Sequence, residues 1–238
     1  MKIGLFSDPH YCSADDLGLN RRPIYSLDKI KEAMEAFKNQ EVEACFCLGD
    51  LVDRAKTDTK KEVLEYLDAV LGIISSYDIP FYLVPGNHDF VDLERGDFEA
   101  AGVVLPNPYK VVTTNECDFL LIDANVRSSG KHFDVEGHVW DDANIVVNSF
   151  EPTFREFIST QKKHVVMVHE NLDPTVQGQH VIKTADTVRD IIRKSGAVKL
   201  VIQGHYHEGS EWYDGDVHYH TVGAMCLGTD NHYEIMEL

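Results

Sequence analysis

Short apolar runs that break off abruptly into polar residues recur along this chain. Lys2–Phe6 runs into Ser7-Asp8-Pro9-His10, Ala44–Leu48 into Gly49-Asp50, and Pro80–Val84 into Pro85-Gly86-Asn87-His88-Asp89. Phe119–Ile122 runs into Asp123-Ala124-Asn125, Val165–Val168 into His169-Glu170, and Leu200–Ile202 into Gln203-Gly204-His205-Tyr206-His207. Continuous apolarity over a few residues is the pattern of strands buried on both faces. Between these runs the period lengthens. From Ser26 to Asn39 the residues Leu27, Ile30, Ala33, Met34 and Phe37 share one helical face, with Ser26 as the expected N-cap. Thr59 and Glu62 form a capping box ahead of a helix carrying Val63, Leu67, Val70, Leu71 and Ile74. Further helices are expected near Glu151–Thr160 and over Ala185–Ser195, the latter stopped by Gly196.

Strands alternating with helices predict an α/β architecture. After His207 the texture changes to a hairpin, Glu211–Tyr213 and Val217–Val222 about the turn Asp214-Gly215, with a last strand over Tyr233–Met236. No repeat or linker interrupts the chain, so one domain over residues 1–238 is expected. The stretch 126–148 carries no regular pattern, and an irregular segment of that length in a compact domain is usually functional or partly ordered in a way its pattern hides.

Charge narrows the partners. The 238 residues carry a net charge of −18, whose field disfavours nucleic acid and anionic membrane surfaces. A phosphorylated substrate would then need local positive charge, which bound metal cations supply. The five cysteines are odd in number and lie mostly in apolar runs, as reduced core thiols do. The apolar start is too short for a signal peptide and no run approaches a membrane span, so the cytoplasm is the expected location.

In open α/β sheets ligands gather beyond the carboxyl ends of strands, and here Asp, His and Asn occupy those positions repeatedly. A single Asp or His there is as well a turn or hydrogen-bonded structural residue. The set is more informative, because its members are metal-ligand types at one structural position. The order Asp8-x-His10, Gly49-Asp50-x-x-Asp53, Gly86-Asn87-His88-Asp89, His169, and Gly204-His205 preceding His207 resembles the calcineurin-like metallophosphoesterase superfamily over residues 8–207. The resemblance implies two stacked mixed β-sheets flanked by helices, a four-layer sandwich with metals at one edge. It implies that Asp8, His10 and His207 hold one divalent ion, that Asn87, His169 and His205 hold a second, and that Asp50 bridges them. A bridging carboxylate suits cations about 3.5–4 Å apart. The implied reaction is attack of metal-bound hydroxide on phosphorus, with His88 protonating the leaving oxygen. Asp89 would orient that imidazole, unless it is a turn residue, and Asp53 would hold a ligand histidine in its tautomer. Arg54 is either a phosphate contact or a surface ion pair.

The segment Arg21-Arg22-Pro23-Ile24-Tyr25-Ser26-Leu27 and the tail from Gly204 resemble the manganese-dependent ADP-ribose/CDP-alcohol diphosphatase branch. Two features depart from it: His10 stands where that branch carries Gln, and Glu170-Asn171 follows His169 where many relatives have His-Pro. The expected function is a metal-dependent hydrolase cleaving a phosphodiester or pyrophosphate bond of a small substrate, including nucleotide-linked ones. A phosphomonoesterase or protein phosphatase on the same site is one alternative, and a non-catalytic scaffold of this fold is another. Arg127 and His132 are candidate substrate contacts in the loop Arg127–Trp140, which also carries Lys131, Phe133, His138 and Trp140. The other reading of that loop is a solvated surface. His218 and His220 share a strand face, either bordering the site or as cross-strand partners. The ligand types suit Mn, Fe, Zn or Co without choosing among them.

Overall fold

The computed structural model describes residues 1–132, 143–176 and 178–238. Its strands fall into two sheets. The first has the order β10-β1-β2-β3, formed by β1 (Lys2–Phe6), β2 (Ala44–Cys47), β3 (Phe81–Leu83) and β10 (Glu234–Glu237). The second has the order β4-β5-β6-β7-β9-β8, from β4 (Tyr109–Thr113), β5 (Cys117–Ile122), β6 (Lys163–Val168), β7 (Val198–Gln203), β8 (Ser210–Asp214) and β9 (Val217–Thr221). Both are mixed: β10 runs antiparallel to β1, and β4 and β8 run antiparallel to otherwise parallel neighbours.

The period-2 geometry of strands sorts the apolar residues into layers. Phe46, Leu48, Ile3 and Leu5 face Phe119, Leu121, Val165 and Met167 in a core between the sheets. Their neighbours Cys45 and Cys47 point the other way, onto Ile30, Met34 and Phe37 of α1 (Ser26–Asn39) and Val63, Leu67 and Val70 of α2 (Lys60–Ile74). On the far side, Leu120, Ile122, Val166 and Val168 pack against Phe150, Phe154 and Phe157 of α4 (Val147–Phe157) and Val188 and Ile192 of α5 (Ala185–Ser195). The layers are therefore helix, sheet, sheet, helix, which is why the central strands read as unbroken apolar runs. All five cysteines are free and buried.

The capping box is present: Thr59 N–H donates to Glu62 Oε2 at 2.6 Å. Gly196 ends α5 at φ +67°. Ser26 is not a cap. Tyr25 occupies that position, and the Ser26 hydroxyl is buried and donates to the Pro9 carbonyl, tying α1 to the loop after β1. The helix expected at Glu151–Thr160 starts earlier, at Val147, because Ser149 and Phe150 close its first turn on the Val146 carbonyl. Strand β4 and the short α3 (Arg95–Ala100) carry no sequence signal strong enough to be expected. No helix among the described residues is long and apolar enough to cross a membrane.

Candidate metal centre

The loops after β1, β2, β3, β6 and β7 meet at one end of the sandwich because backbone bonds stitch them together. Asp8 N–H donates to the Gly49 carbonyl at 3.0 Å, His10 N–H to Asp50 at 2.9 Å, and Gly204 N–H to His169 at 3.0 Å. Within this stitching Asp8, His10, Asp50 and His205 adopt left-handed conformations, with φ of 51°, 47°, 52° and 65°. Such backbone costs about 1–3 kcal/mol per residue and persists where the surroundings over-determine it, typically at functional sites. Close approach does the rest. A Cβ on Gly49, itself at φ +109°, would lie 2.4 Å from His169 Nδ1, and one on Gly86 would lie 2.2 Å from Asp50 Oδ1.

The side chains form two adjoining groups. Asp8 Oδ1 lies 3.7 Å from His10 Nε2 and 3.4 Å from His207 Nε2, and those two nitrogens are 3.3 Å apart. On the other side, ligand atoms of Asp50, His169 and His205 lie within 4.8 Å of one another. Asp50 Oδ2 sits between the groups, 3.5 Å from His10 Nε2 and 3.3 Å from His169 Nε2. Asn87 is 2% exposed, yet neither its amide oxygen nor its amide nitrogen has a hydrogen-bond partner. Asp8 Oδ1 and His169 Nε2 are in the same position. Buried polar atoms are rarely left so, and the donor set of carboxylates, imidazoles and one amide fits a pair of divalent cations.

Surrounding groups fix which nitrogen each ring presents. His169 Nδ1 donates to the Leu48 carbonyl at 2.5 Å, which leaves Nε2 facing Asp50 and Asp8. His10 Nδ1 lies 3.1 Å from Asp53 Oδ2, so its Nε2 likewise faces inward. The second oxygen of Asp8 accepts the Ser7 hydroxyl and the His205 N–H. Burial opposes ionisation of Asp8, Asp50 and Asp53, but the imidazoles around them outweigh it and hold all three carboxyls below the usual range. Burial likewise opposes charge on His169, and Asp50 and Asp8 push it up to about 10. His205 moves the other way, driven down by burial and the neighbouring His169. His10 and His169 are the imidazoles whose positive form the carboxylates favour, and bound cations would compete for those carboxylates.

Asp89 does not act as expected. Its buried carboxylate accepts backbone N–H groups from Asp50 at 2.9 Å, Leu51 at 2.8 Å and Gly86 at 2.8 Å, clasping the loops after β2 and β3. The carboxylate at the His88 imidazole is Asp53, 3.1 Å from Nδ1. Of the two readings of Arg54, phosphate contact or surface ion pair, the geometry matches the ion pair. Arg54 pairs with Asp92 at 3.0 Å, and its side chain is half-exposed. His132 lies 3.0 Å from Asp123 and edge-on to Phe90, lining a different cavity from the one beside the candidate ligands. Arg127 is partly buried beside it, in a backbone turn closed on Lys131. Phe133, His138 and Trp140 of the expected specificity loop lie outside the described residues.

The cavity over Asp50, His88, His205 and His207 has a volume of about 380 Å³, and Arg21, His180 and Tyr206 also line it. His180 and Tyr206 were missed in the sequence reading: His180 follows no apolar run, and Tyr206 reads as a spacer between two histidines. Arg21 had a signal, the Arg21-Arg22-Pro23 segment, which brings it within 3.8 Å of Asp53.

The profile of the family described as Calcineurin-like phosphoesterase matches residues 1–209. A probable cyclic nucleotide phosphodiesterase of Fibrobacter succinogenes is 28% identical over 102 residues, 42% of this chain and 35% of the relative. The match thus spans about a third of that protein's length. Among solved structures, a dimetal phosphatase from Danio rerio shares the fold with TM-score 0.82 at 16% identity, covering 100% of this chain and 92% of that one. GAP50, described as the anchor in the inner membrane complex of Plasmodium, superposes with TM-score 0.64 at 15% identity, covering 97% and 75%. This chain belongs to the calcineurin-like phosphoesterase family of hydrolases.

Proposed function

We propose that this protein is a two-metal hydrolase that cleaves a phosphodiester or pyrophosphate bond of a small substrate, nucleotide-linked as in the ADP-ribose/CDP-alcohol diphosphatases. The observation that carries the reading is the Asp50 carboxylate, set between the Asp8–His10–His207 and His169–His205–Asn87 groups beside buried polar atoms that lack partners. In this reading Asp8, His10 and His207 would hold one ion and Asn87, His169 and His205 the other, with the Asp50 carboxylate available to both. The bound cations supply Lewis acidity toward the phosphoryl oxygens and lower the pKa of water to near neutrality.

The remaining roles belong to the chain itself. His88 lines the cavity and delivers a proton to the departing oxygen, while Asp53, 3.1 Å from its Nδ1, orients the ring. Arg21 contributes a fixed guanidinium for a second phosphate oxygen, and Tyr206 with His180 offers ring faces to a base or ribose. A cavity of this volume suits a small ligand. A protein phosphatase loses its one supporting residue, since Arg54 pairs with Asp92. A scaffold role is disfavoured by the intact ligand set.

The test is a substrate panel on chelator-stripped protein reloaded with Mn²⁺, Fe²⁺, Zn²⁺ or Co²⁺. It would compare ADP-ribose, CDP-choline, cyclic nucleotides, glycerophosphodiesters and simple monoesters. Turnover of pyrophosphates or diesters, lost on chelation and restored by metal, is expected. Activity confined to monoesters would overturn the substrate assignment, and none with any metal would overturn the enzyme reading.

A further inference from the structure

A second group of ligand-type side chains lies on the β8–β9 edge, apart from the ligand groups described above. His218 and His220 are two residues apart on β9 and so share a face. The register of the hairpin sets Glu211 of β8 directly opposite His220. Glu211 Oε1 lies 2.7 Å from His220 Nδ1, and its other oxygen contacts His218 Nε2. One donor atom from each of the three residues falls within 4.8 Å of the other two.

We infer that Glu211, His218 and His220 form a mononuclear site for a zinc-type divalent cation, with Glu234 orienting one of its histidines. Two imidazoles and a carboxylate are a borderline-soft set, which favours Zn²⁺ and its neighbours over Ca²⁺ or Mg²⁺. Three protein ligands leave a fourth tetrahedral position for water. Tetrahedral coordination at about 2.0–2.1 Å separates ligand atoms by about 3.3 Å. The two rings need not move far to meet that spacing, and the exposed Glu211 side chain can rotate outward to admit the ion.

The orientation of the rings supports the site. His220 Nε2 lies 2.7 Å from Glu234 Oε2, and a ligating histidine characteristically donates its other N–H to a carboxylate. That donation leaves Nδ1 facing Glu211, an arrangement that needs either a proton or a cation between the nitrogen and the carboxylate. His218 stacks on Tyr213, with ring centroids 4.5 Å apart and planes at 4°, which fixes its ring without using Nε2. The hairpin backbone holds both histidines on a rigid element, while the exposed Glu211 gives the ion a route from solvent. Because Glu234 lies on β10 of the other sheet, a bound ion would link the open edges of both sheets through His220.

The experiment uses the full chain, stripped with a chelator, dialysed against buffered Zn²⁺ and analysed for zinc per chain. His218→Gln and Glu211→Gln are compared with the unmodified protein, and the hydrolytic rate is measured on each. One fewer zinc per chain in either variant, with the rate retained, is expected. Glu211→Gln alters an exposed side chain and serves if the histidine variant folds poorly. Equal zinc in all three proteins overturns the site and leaves a salt-bridged strand edge. Loss of more than one zinc together with loss of rate in both variants also overturns it, because the cluster would then be inseparable from the dinuclear ligands. The result depends on the difference between proteins, so it stands whatever total the dinuclear centre contributes.

Discussion

Asp53 Oδ2 lies 3.1 Å from Nδ1 of His88, and the same oxygen is 3.1 Å from Nδ1 of His10. One carboxylate thus sits behind both a candidate metal ligand, whose Nε2 faces Asp8 and Asp50, and the candidate acid, which lines the cavity. Asp53→Asn should therefore affect two steps at once. Metal affinity should fall about 10–100-fold, as when a carboxylate behind a ligating histidine is lost. His88→Asn should instead keep its metals and lose about 10²–10⁴ in kcat. Metal content and kcat on a bis-aryl phosphodiester separate the two. Unchanged metal affinity in Asp53→Asn would remove the orienting role.

Arg54 and Arg21 should respond in opposite ways. Arg54 makes an exposed pair with Asp92, so Arg54→Ala should change KM little and cost no more than about 1 kcal/mol of stability. Arg21 lines the cavity beside His88, and Arg21→Ala should raise KM at least several-fold for pyrophosphate substrates. Steady-state kinetics on both variants decides between them. A KM effect at Arg54 alone would return the phosphate contact to that residue.

Gly49 stands at φ +109°, with His169 Nδ1 only 2.4 Å from where a Cβ would lie. Gly49→Ala combines backbone strain with displacement of a candidate ligand. It should cost about 1–3 kcal/mol in urea unfolding of the metal-free chain and also weaken metal binding. Wild-type stability and metal content in this variant would show that the loop can relax.

Phe46 lies fully buried between the two sheets against Phe119, with ring centroids 4.8 Å apart. Phe46→Ala should destabilise by about 3–5 kcal/mol, through lost transfer energy and a residual cavity. Denaturant unfolding measures it, and a cost under about 1 kcal/mol would mean that the sheets close over the gap.

In the chelated chain, burial opposes charge on His220, but Glu234 and Glu211 outweigh it and raise its pKa above the usual value. A raised folded value means that the folded state holds the proton more tightly than the unfolded chain. This contribution to stability is complete below about pH 6.5 and is lost as pH rises through the folded pKa. Glu211 has the opposite sign: His218 and His220 hold its carboxyl down despite burial, so its contribution is lost as pH falls below the ordinary carboxylate range. His220→Gln should flatten the loss at high pH, as read from Tm against pH in the presence of chelator. An unchanged profile would show that the cluster does not titrate on unfolding.

The sequence by itself determined the strands whose two faces are both buried, since unbroken apolar runs such as Ala44–Cys47 and Val165–Val168 have no other stable place in a chain of this size. It also brought out a candidate ligand set, because Asp, His and Asn follow those runs, strand ends converge in such sheets, and their order resembles the family's. Both inferences are local: a strand's period and its end are written in consecutive residues. Pairings between residues far apart in the chain needed the tertiary structure. Adjacent Asp89 could be read as partner to His88, yet the folded loops give that imidazole to Asp53 and turn Asp89 onto three backbone amides. Arg54 pairs with Asp92 and Arg21 lines the cavity for the same reason, since the direction a loop leaves a strand depends on the loops packed against it. His220 and Glu234 meet across two sheets, and no spacing in the chain records that contact.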